Sequence, residues 1–377
     1  MLDIKSMLPS ELEDYLISID EKKFRALQIF SWLHKGVRSF DEMTDLSLDL
    51  REKLSRHFYI TVPIILEKQV SAKDGTIKYL WGLCSGGGNG DGSGNDGNSG
   101  NGGEISNSGG SSKTDSGGVE SVLMEYNHGT TICISTQLGC KMGCAFCASA
   151  IGGFMRNLTA SEMLDQVLHS MLDSGRTISN IVLMGTGEPL DNFDNVMRFA
   201  ELTRHHKGLN IGARHLTLST CGVIENIDRL ADCGVQLGLA ISLHAPDDET
   251  RTKLIPYNRK ANVEAIFNAA KRYTDKTGRR VTYEYAMIYG INDSPQQAEM
   301  LCRLLRGTGS HLNLIMLSNI PECEFIPSSK ENLEAFNKIL TKNGVKFTTR
   351  RSLGSDIEAS CGQLRRKSLA NGFMGHN

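Results

Sequence analysis

From residue 131 to residue 317 the chain repeats one pattern, a short apolar run followed by a longer amphipathic stretch. The runs fall at 131–135, 181–184, 215–219, 236–242, 281–287 and 312–317. Between them, residues 161–172, 195–203, 262–273 and 296–305 carry apolar side chains at helical spacing. Repeated strand-then-helix units can be satisfied only by parallel strands joined by right-handed crossovers. The expected fold is therefore α/β, a partial (β/α)6 barrel. Sheets of this kind present their chemistry at the carboxyl ends of the strands.

The rest of the chain reads differently. Residues 9–58 predict helices, with Ser10 and Glu13 spaced as a capping box and Ala26, Ile29, Phe30 and Leu33 forming an apolar stripe. This region is a plain packing domain or a substrate-binding one; Lys22, Lys23 and Arg25 could meet phosphates or simply form a solvated face. Residues 85–118 are Gly, Ser, Asn or Asp except for Glu104, Ile105, Lys113 and Thr114. Such a composition cannot repay the entropy of ordering, which predicts a flexible tip on a hairpin with strands at 76–81 and 119–126. The expected divisions are a helical N-terminal domain at 1–58, a hairpin region at 59–125, a barrel core at 126–356 and a C-terminal segment at 357–377.

Charge and cysteine content narrow the function. With 41 basic and 43 acidic residues the net charge is -2, so any nucleic-acid surface must be local. No apolar run is long enough to span a bilayer, and Met1-Leu2-Asp3-Ile4-Lys5 lacks the apolar core of a signal peptide. A cytoplasmic protein with no membrane partner is expected, and its ten cysteines then need a role other than structural disulfides. Three of them, Cys140, Cys144 and Cys147, lie on one loop directly after the first strand of the repeat. Three thiols so spaced can converge on a metal centre. A zinc ion would require a fourth ligand, for which Cys133 and His128 are the nearest candidates; an iron–sulfur cluster on three thiolates would keep one iron open. Three buried free thiols are the remaining reading.

The Cys140, Cys144, Cys147 spacing, with Phe146 before the last, resembles the radical S-adenosylmethionine superfamily. A longer likeness is to the RlmN/Cfr family of RNA adenine methyltransferases, carried by residues 131–147, 153–158, 184–190, 218–222, 240–246 and 354–364. The resemblance implies a 4Fe-4S cluster on the three cysteines and S-adenosyl-L-methionine held by Gly187, Glu188, Ser219, Ser242, Leu243 and His244. A further contact, an Asn in the family, aligns with Ser318 here, and Asn319 stands one place late. It also implies a methyl-carrying thiol at Cys361, a resolving thiol at Cys133, and a base at Glu120, thirteen residues before Cys133. The remaining cysteines, Cys84, Cys221, Cys233, Cys302 and Cys323, are read as structural or incidental.

Adenine carbon 2 is electron-poor and has no lone pair with which to attack a sulfonium methyl, so methylation there needs a radical route. A cysteine thiolate, by contrast, takes a methyl by ordinary displacement. In the family's scheme Cys361 is methylated first, a radical formed from a second S-adenosylmethionine activates that methyl for addition to adenine, Glu120 removes the ring proton, and Cys133 releases the product as a transient disulfide forms. The implied partners are 23S rRNA near the peptidyl-transferase centre, tRNA at the adenosine beside the anticodon, and an electron donor such as flavodoxin or ferredoxin. Pro189 after Glu188 favours the carbon-2 branch over the Cfr-like carbon-8 branch; a non-catalytic zinc-binding RNA protein is the reading from a different class. Local positive charge for RNA is sought at 204–207, at Lys271, Arg272, Lys276, Arg279 and Arg280, at Arg350 and Arg351, and at 365–367.

Overall fold

A computed structural model describes residues 1–84, 114–127, 129–318, 323–351, 353–357 and 359. The N-terminal segment opens with strand β1 (Leu2–Asp3), followed by helices α1 (Pro9–Ser18), α2 (Arg25–Leu33) and α3 (Leu48–His57), and β2 (Phe58–Tyr59) then pairs parallel with β1. The apolar stripe of α2 is buried as expected: Ala26, Ile29, Phe30 and Leu33 face Leu12, Leu16, Leu50 and Leu54. The expected cap on α1 is displaced. Pro9, whose fixed φ suits the first helical position, starts the helix earlier, so the Glu11 carboxylate, not that of Glu13, accepts from the backbone N–H of Leu8 at 2.8 Å.

Strands β3 (Ile64–Val70), β4 (Ile77–Cys84), β5 (Thr114–Tyr126) and β6 (Gly129–Cys133) form an antiparallel run. A small antiparallel ribbon, β7 (Gln137–Gly139) with β8 (Phe154–Asn157), follows. The alternation then begins: α4 (Ala160–Ser174), β9 (Ile178–Leu183), α5 (Phe193–Arg204), β10 (Leu216–Thr220), α6 (Ile224–Asp232), β11 (Gly238–Ser242), α7 (Asp248–Leu254), α8 (Val263–Thr277), β12 (Val281–Met287), α9 (Pro295–Leu305), β13 (His311–Met316), α10 (Lys330–Lys342) and β14 (Phe347–Thr349). One ten-stranded sheet runs β14-β13-β12-β11-β10-β9-β6-β5-β4-β3, with every pairing from β6 through β14 parallel. All six expected strands are present, and β14 adds one that three residues of sequence do not announce. No helix among the described residues is long and apolar enough to cross a membrane.

The hairpin expected around the low-complexity stretch exists, but its second strand starts sooner. β5 includes residues 114–118, and Thr114 lies opposite Cys84. Pairing with β4 overrides the poor strand propensity of Gly117 and Gly118. Residues 85–113 lie outside the described part.

Alternation along each strand sets up two surfaces. Tyr79, Trp81, Ile132, Ile134, Ile181, Leu183, Leu216, Leu218, Leu239, Ile241, Tyr283, Tyr285, Leu312 and Leu314 belong to the continuous core under the helices. Tyr283 stacks on Phe267 of α8 and Tyr285 packs against Phe336 of α10, which identifies this parity as the outward one. The intervening residues, among them Lys78, Glu120, Cys133, Ser219, Ser242, Glu284 and Asn313, therefore line the inside.

The N-terminal segment is fastened to the barrel by buried charge. Lys5 and Asp165 of α4, each about 2% exposed, form an ion pair, and Lys5 also donates to the Thr61 carbonyl. The Thr61 hydroxyl lies 2.7 Å from Asp3 and 2.8 Å from Asp165. Burial pushes the Asp165 carboxyl up to about 6 against the pull of the Lys5 ammonium. Nearby, Arg198 of α5 grips both oxygens of Glu11 at 2.8 and 2.6 Å.

Two outcomes follow from these contacts. Lys5→Met strands a buried carboxylate and should cost about 3–5 kcal/mol, read as a lower urea midpoint. Replacing residues 85–113 by an Asn-Gly turn between Cys84 and Thr114 should leave the melting temperature within about 2 °C of the parent, because the paired strand ends suit a two-residue connection.

Candidate active site at the carboxyl ends of the strands

The cysteine loop follows β7. Its entry requires Gly139, which has φ +74° and no room for a side chain: a Cβ there would lie 1.8 Å from the Gly153 carbonyl oxygen. The loop is held by the N–H of Ala145 on the Leu254 carbonyl (2.9 Å), by Cys147 N–H on the Cys144 carbonyl (3.1 Å) and by Lys141 on Asp191 (2.7 Å). Cys140, Cys144 and Phe146 pack against Met142, Leu254, Ile255 and Ile288. Burial raises the Cys140 thiol to about 11 and Cys144 further still, and each is also raised by the charge of neighbouring loop thiols. The three sulfurs thus share one low-dielectric neighbourhood in which thiolates need a cation to persist. Among the described residues no three side chains close around a single ion. Thiolates that bind separate irons of a polynuclear cluster need not converge on one point, so this donor set fits a cluster.

Glu188 sits beside this loop, 3% exposed. Its two oxygens accept from Leu190 N–H (3.1 Å) and Cys221 N–H (2.8 Å), while its own N–H donates to Gln137 (2.9 Å). Burial raises its pKa and these backbone donors oppose the rise. Gly187 makes the approach possible, with φ +112° and a would-be Cβ 2.7 Å from that of Gln137.

Ser219 is the penultimate residue of β10 and Ser242 ends β11, with their hydroxyl oxygens 3.3 Å apart on the inner wall. His244 follows in a left-handed conformation (φ 55°), its ring edge-on to Phe146 of the cysteine loop. Its Nδ1 accepts from Ala286 N–H at 2.9 Å, which leaves the proton on Nε2, and burial lowers its pKa to about 3. Leu243 lies between Ser242 and His244 with its side chain in the outer core, its N–H donating to the Glu284 carbonyl and its carbonyl accepting from Arg251. Ser318 is exposed just beyond β13. Asn319, Cys361 and residues 365–367 lie outside the described residues.

Glu120 and Cys133 share the inner face. Val122 is the register partner of Cys133, and Glu120 is two residues along from Val122. Lys78 of β4 lies 3.8 Å from the Glu120 carboxylate, and both side chains are buried. Cys140, Cys144, Cys221, Cys233, Cys302 and Cys323 are thiols outside any disulfide among the described residues.

Three features were not read from the sequence. Cys221, structural or incidental by sequence, is buried against the cysteine loop and next to Glu188. Arg251, fully buried in α7, bonds to the loops after β10 and β11. Glu284 on the inner wall accepts from Asn313 and Arg350, both at 3.0 Å. Arg350 thus reaches into the barrel, whereas Arg272 and Lys276 are engaged on the surface by Asp228 and Asp232.

Known proteins extend these observations. Residues 2–60 match the model of the ribosomal RNA large subunit methyltransferase N-terminal domain, and residues 134–302 that of the radical SAM superfamily. The chain is 45% identical over 370 residues to a probable dual-specificity RNA methyltransferase RlmN from Alkaliphilus oremlandii, covering 98% of this chain and 99% of that one. The protein of the same description from Clostridium tetani is 43% identical over 371 residues, covering 98% of each. A crystal structure of a radical SAM methyltransferase from Sphaerobacter thermophilus superposes with a TM-score of 0.83 at 38% identity, over 96% of this chain and 99% of that chain.

Gly187→Ala should be destabilising by roughly 1–3 kcal/mol, since it combines a strained φ with a clash against Gln137. Thermal unfolding checks this; a melting temperature equal to the parent's would show that the turn relaxes freely.

Proposed function

The chain belongs to the RlmN family of radical S-adenosylmethionine RNA methyltransferases, and we propose that it methylates carbon 2 of adenosine, in 23S rRNA and in tRNA beside the anticodon. Cys140, Cys144 and Cys147 would hold a 4Fe-4S cluster, and Gly187, Glu188, Ser219, Ser242, Leu243 and His244 would hold S-adenosylmethionine. When bound, the pair supplies one-electron cleavage of the sulfonium, the chemistry that an unactivated aromatic carbon requires.

The observation that carries this reading is the placement of a carboxylate and a thiol, Glu120 and Cys133, on the inner wall that also bears Ser219 and Ser242. Glu120 is the base for the carbon-2 proton. The Lys78 ammonium beside it favours the ionised carboxylate against the cost of burial. Cys361 carries the methyl group as a thioether. Once that carbon is joined to the base, the Cys133 thiolate bonds to the sulfur of Cys361 as the sulfur–carbon bond breaks, and the carbon takes a proton to become the product methyl. The resulting disulfide is transient and fits a reducing cytoplasm, where a flavodoxin- or ferredoxin-type donor supplies electrons. Arg351, exposed beyond β14, provides positive charge at the barrel for the incoming phosphates, while Arg350 beside it is paired with Glu284.

Cys133→Ala should accumulate a covalent RNA adduct through Cys361, seen on a denaturing gel and by peptide mass spectrometry, and Glu120→Gln should lower product formation by about 100-fold or more with iron content unchanged. Normal turnover by Cys133→Ala contradicts the resolving role. Mass spectrometry of RNA fragments separates the branches, and an exclusively carbon-8 product would reject carbon 2.

A further inference from the structure

Arg251 is a buried cation that bonds to no anion among the described residues. Its side chain is 0% exposed, and Nε donates to the Leu243 carbonyl (3.1 Å), Nη1 to Asn258 Oδ1 (2.8 Å) and the Ala261 carbonyl (3.2 Å), and Nη2 to the carbonyls of Cys221 (2.6 Å) and Ser242 (3.1 Å). All five acceptors are neutral. The carboxylate of Asp248 acts on it only from a distance, its Oδ1 being engaged by Asn258 (3.0 Å) and the Val263 N–H (2.8 Å). Hydrogen bonds to neutral carbonyls solvate a guanidinium, but an unbalanced buried charge still costs several kcal/mol.

The sites whose charge would reach Arg251 include Cys144 and Cys221. Its helix ends directly beneath the cysteine loop: the Leu254 carbonyl takes the Ala145 N–H at 2.9 Å, and Leu254 and Ile255 pack against Cys140 and Cys144. Two other titratable groups lie nearby: His244 is neutral and offers no counter-charge, and the Glu188 carboxylate is engaged by the N–H groups of Leu190 (3.1 Å) and Cys221 (2.8 Å) and makes no ion pair with Arg251 among the described residues. A 4Fe-4S core on three thiolates is a net anion, and reduction adds another negative charge. We infer that Arg251 is the counter-charge of the cluster, fixed in place by neutral carbonyls so that its field stays available to favour the reduced state. This rests on the three-cysteine cluster proposed above. Arg251 is a positioning and electrostatic residue, since it also ties together the loops that carry Cys221 and Ser242.

The test compares Arg251→Lys with Arg251→Gln in anaerobically reconstituted protein, by iron content and by a potentiometric titration followed by electron paramagnetic resonance. Arg251→Gln is expected to bind iron and to show a more negative midpoint potential, whereas Arg251→Lys, which keeps the charge but not the fork of hydrogen bonds, should stay near the parent potential. Equal potentials in parent and Arg251→Gln would overturn the inference, as would equal shifts in both variants. If Arg251→Gln takes up no iron, thermal unfolding decides. Arg251→Met should lower the melting temperature less when Cys140, Cys144 and Cys147 are all replaced by Ala than when the cluster is bound, and equal losses in the two backgrounds would overturn the inference. Absence of iron from the parent protein would instead reject the cluster itself.

Discussion

Helices cover only one side of a parallel strand here, and that single constraint divides the barrel's residues. The side under the helices must be apolar, and it is, from Tyr79 through Ile181 and Leu218 to Leu314. The opposite side is released from packing and can carry polar groups at little cost to the core. Lys78, Glu120, Ser219, Ser242, Glu284 and Asn313 all occupy it. A slip of one residue would exchange the two sets, and in β4, β5 or β12 it would place Lys78, Glu120 or Glu284 under a helix. Stability of the fold and integrity of the site are therefore enforced by the same alternation.

A second organising element works across strands. The loops after β10 and β11 have no mutual ladder to hold them, and Arg251 supplies what the sheet does not by bonding to a carbonyl of each. Glu188 links outward in the same way, to Gln137 on one side and Cys221 on the other. The groups beside the cysteine loop are thus held mostly through the main chain, which leaves few side-chain rotamers to order when a ligand arrives.

Much of this was legible before any coordinates. The six strands announce themselves because apolar runs recur between amphipathic helices, and the cysteine loop stands out because its spacing is rare. What was not legible depends on contacts remote in sequence. Nothing in residues 76–84 marks Lys78 as the neighbour of Glu120; only the β4–β5 register brings them together. α7 is too short for a periodic signal, so Arg251 reads as one surface charge among several. The start of β5 was misplaced because composition speaks for a segment in isolation, whereas its partner strand decides.

The pairing of Lys5 with Asp165, and of Asp3 and Thr61 around it, has a consequence for the order of assembly. Lys5 buries a charge whose partner is made 160 residues later. Until α4 emerges, the amino-terminal helices can collapse on their own apolar stripe, but the Lys5 ammonium must remain hydrated. During synthesis the segment around Lys5 is thus held in waiting, and the arrival of the barrel's first helix is the event that lets it close.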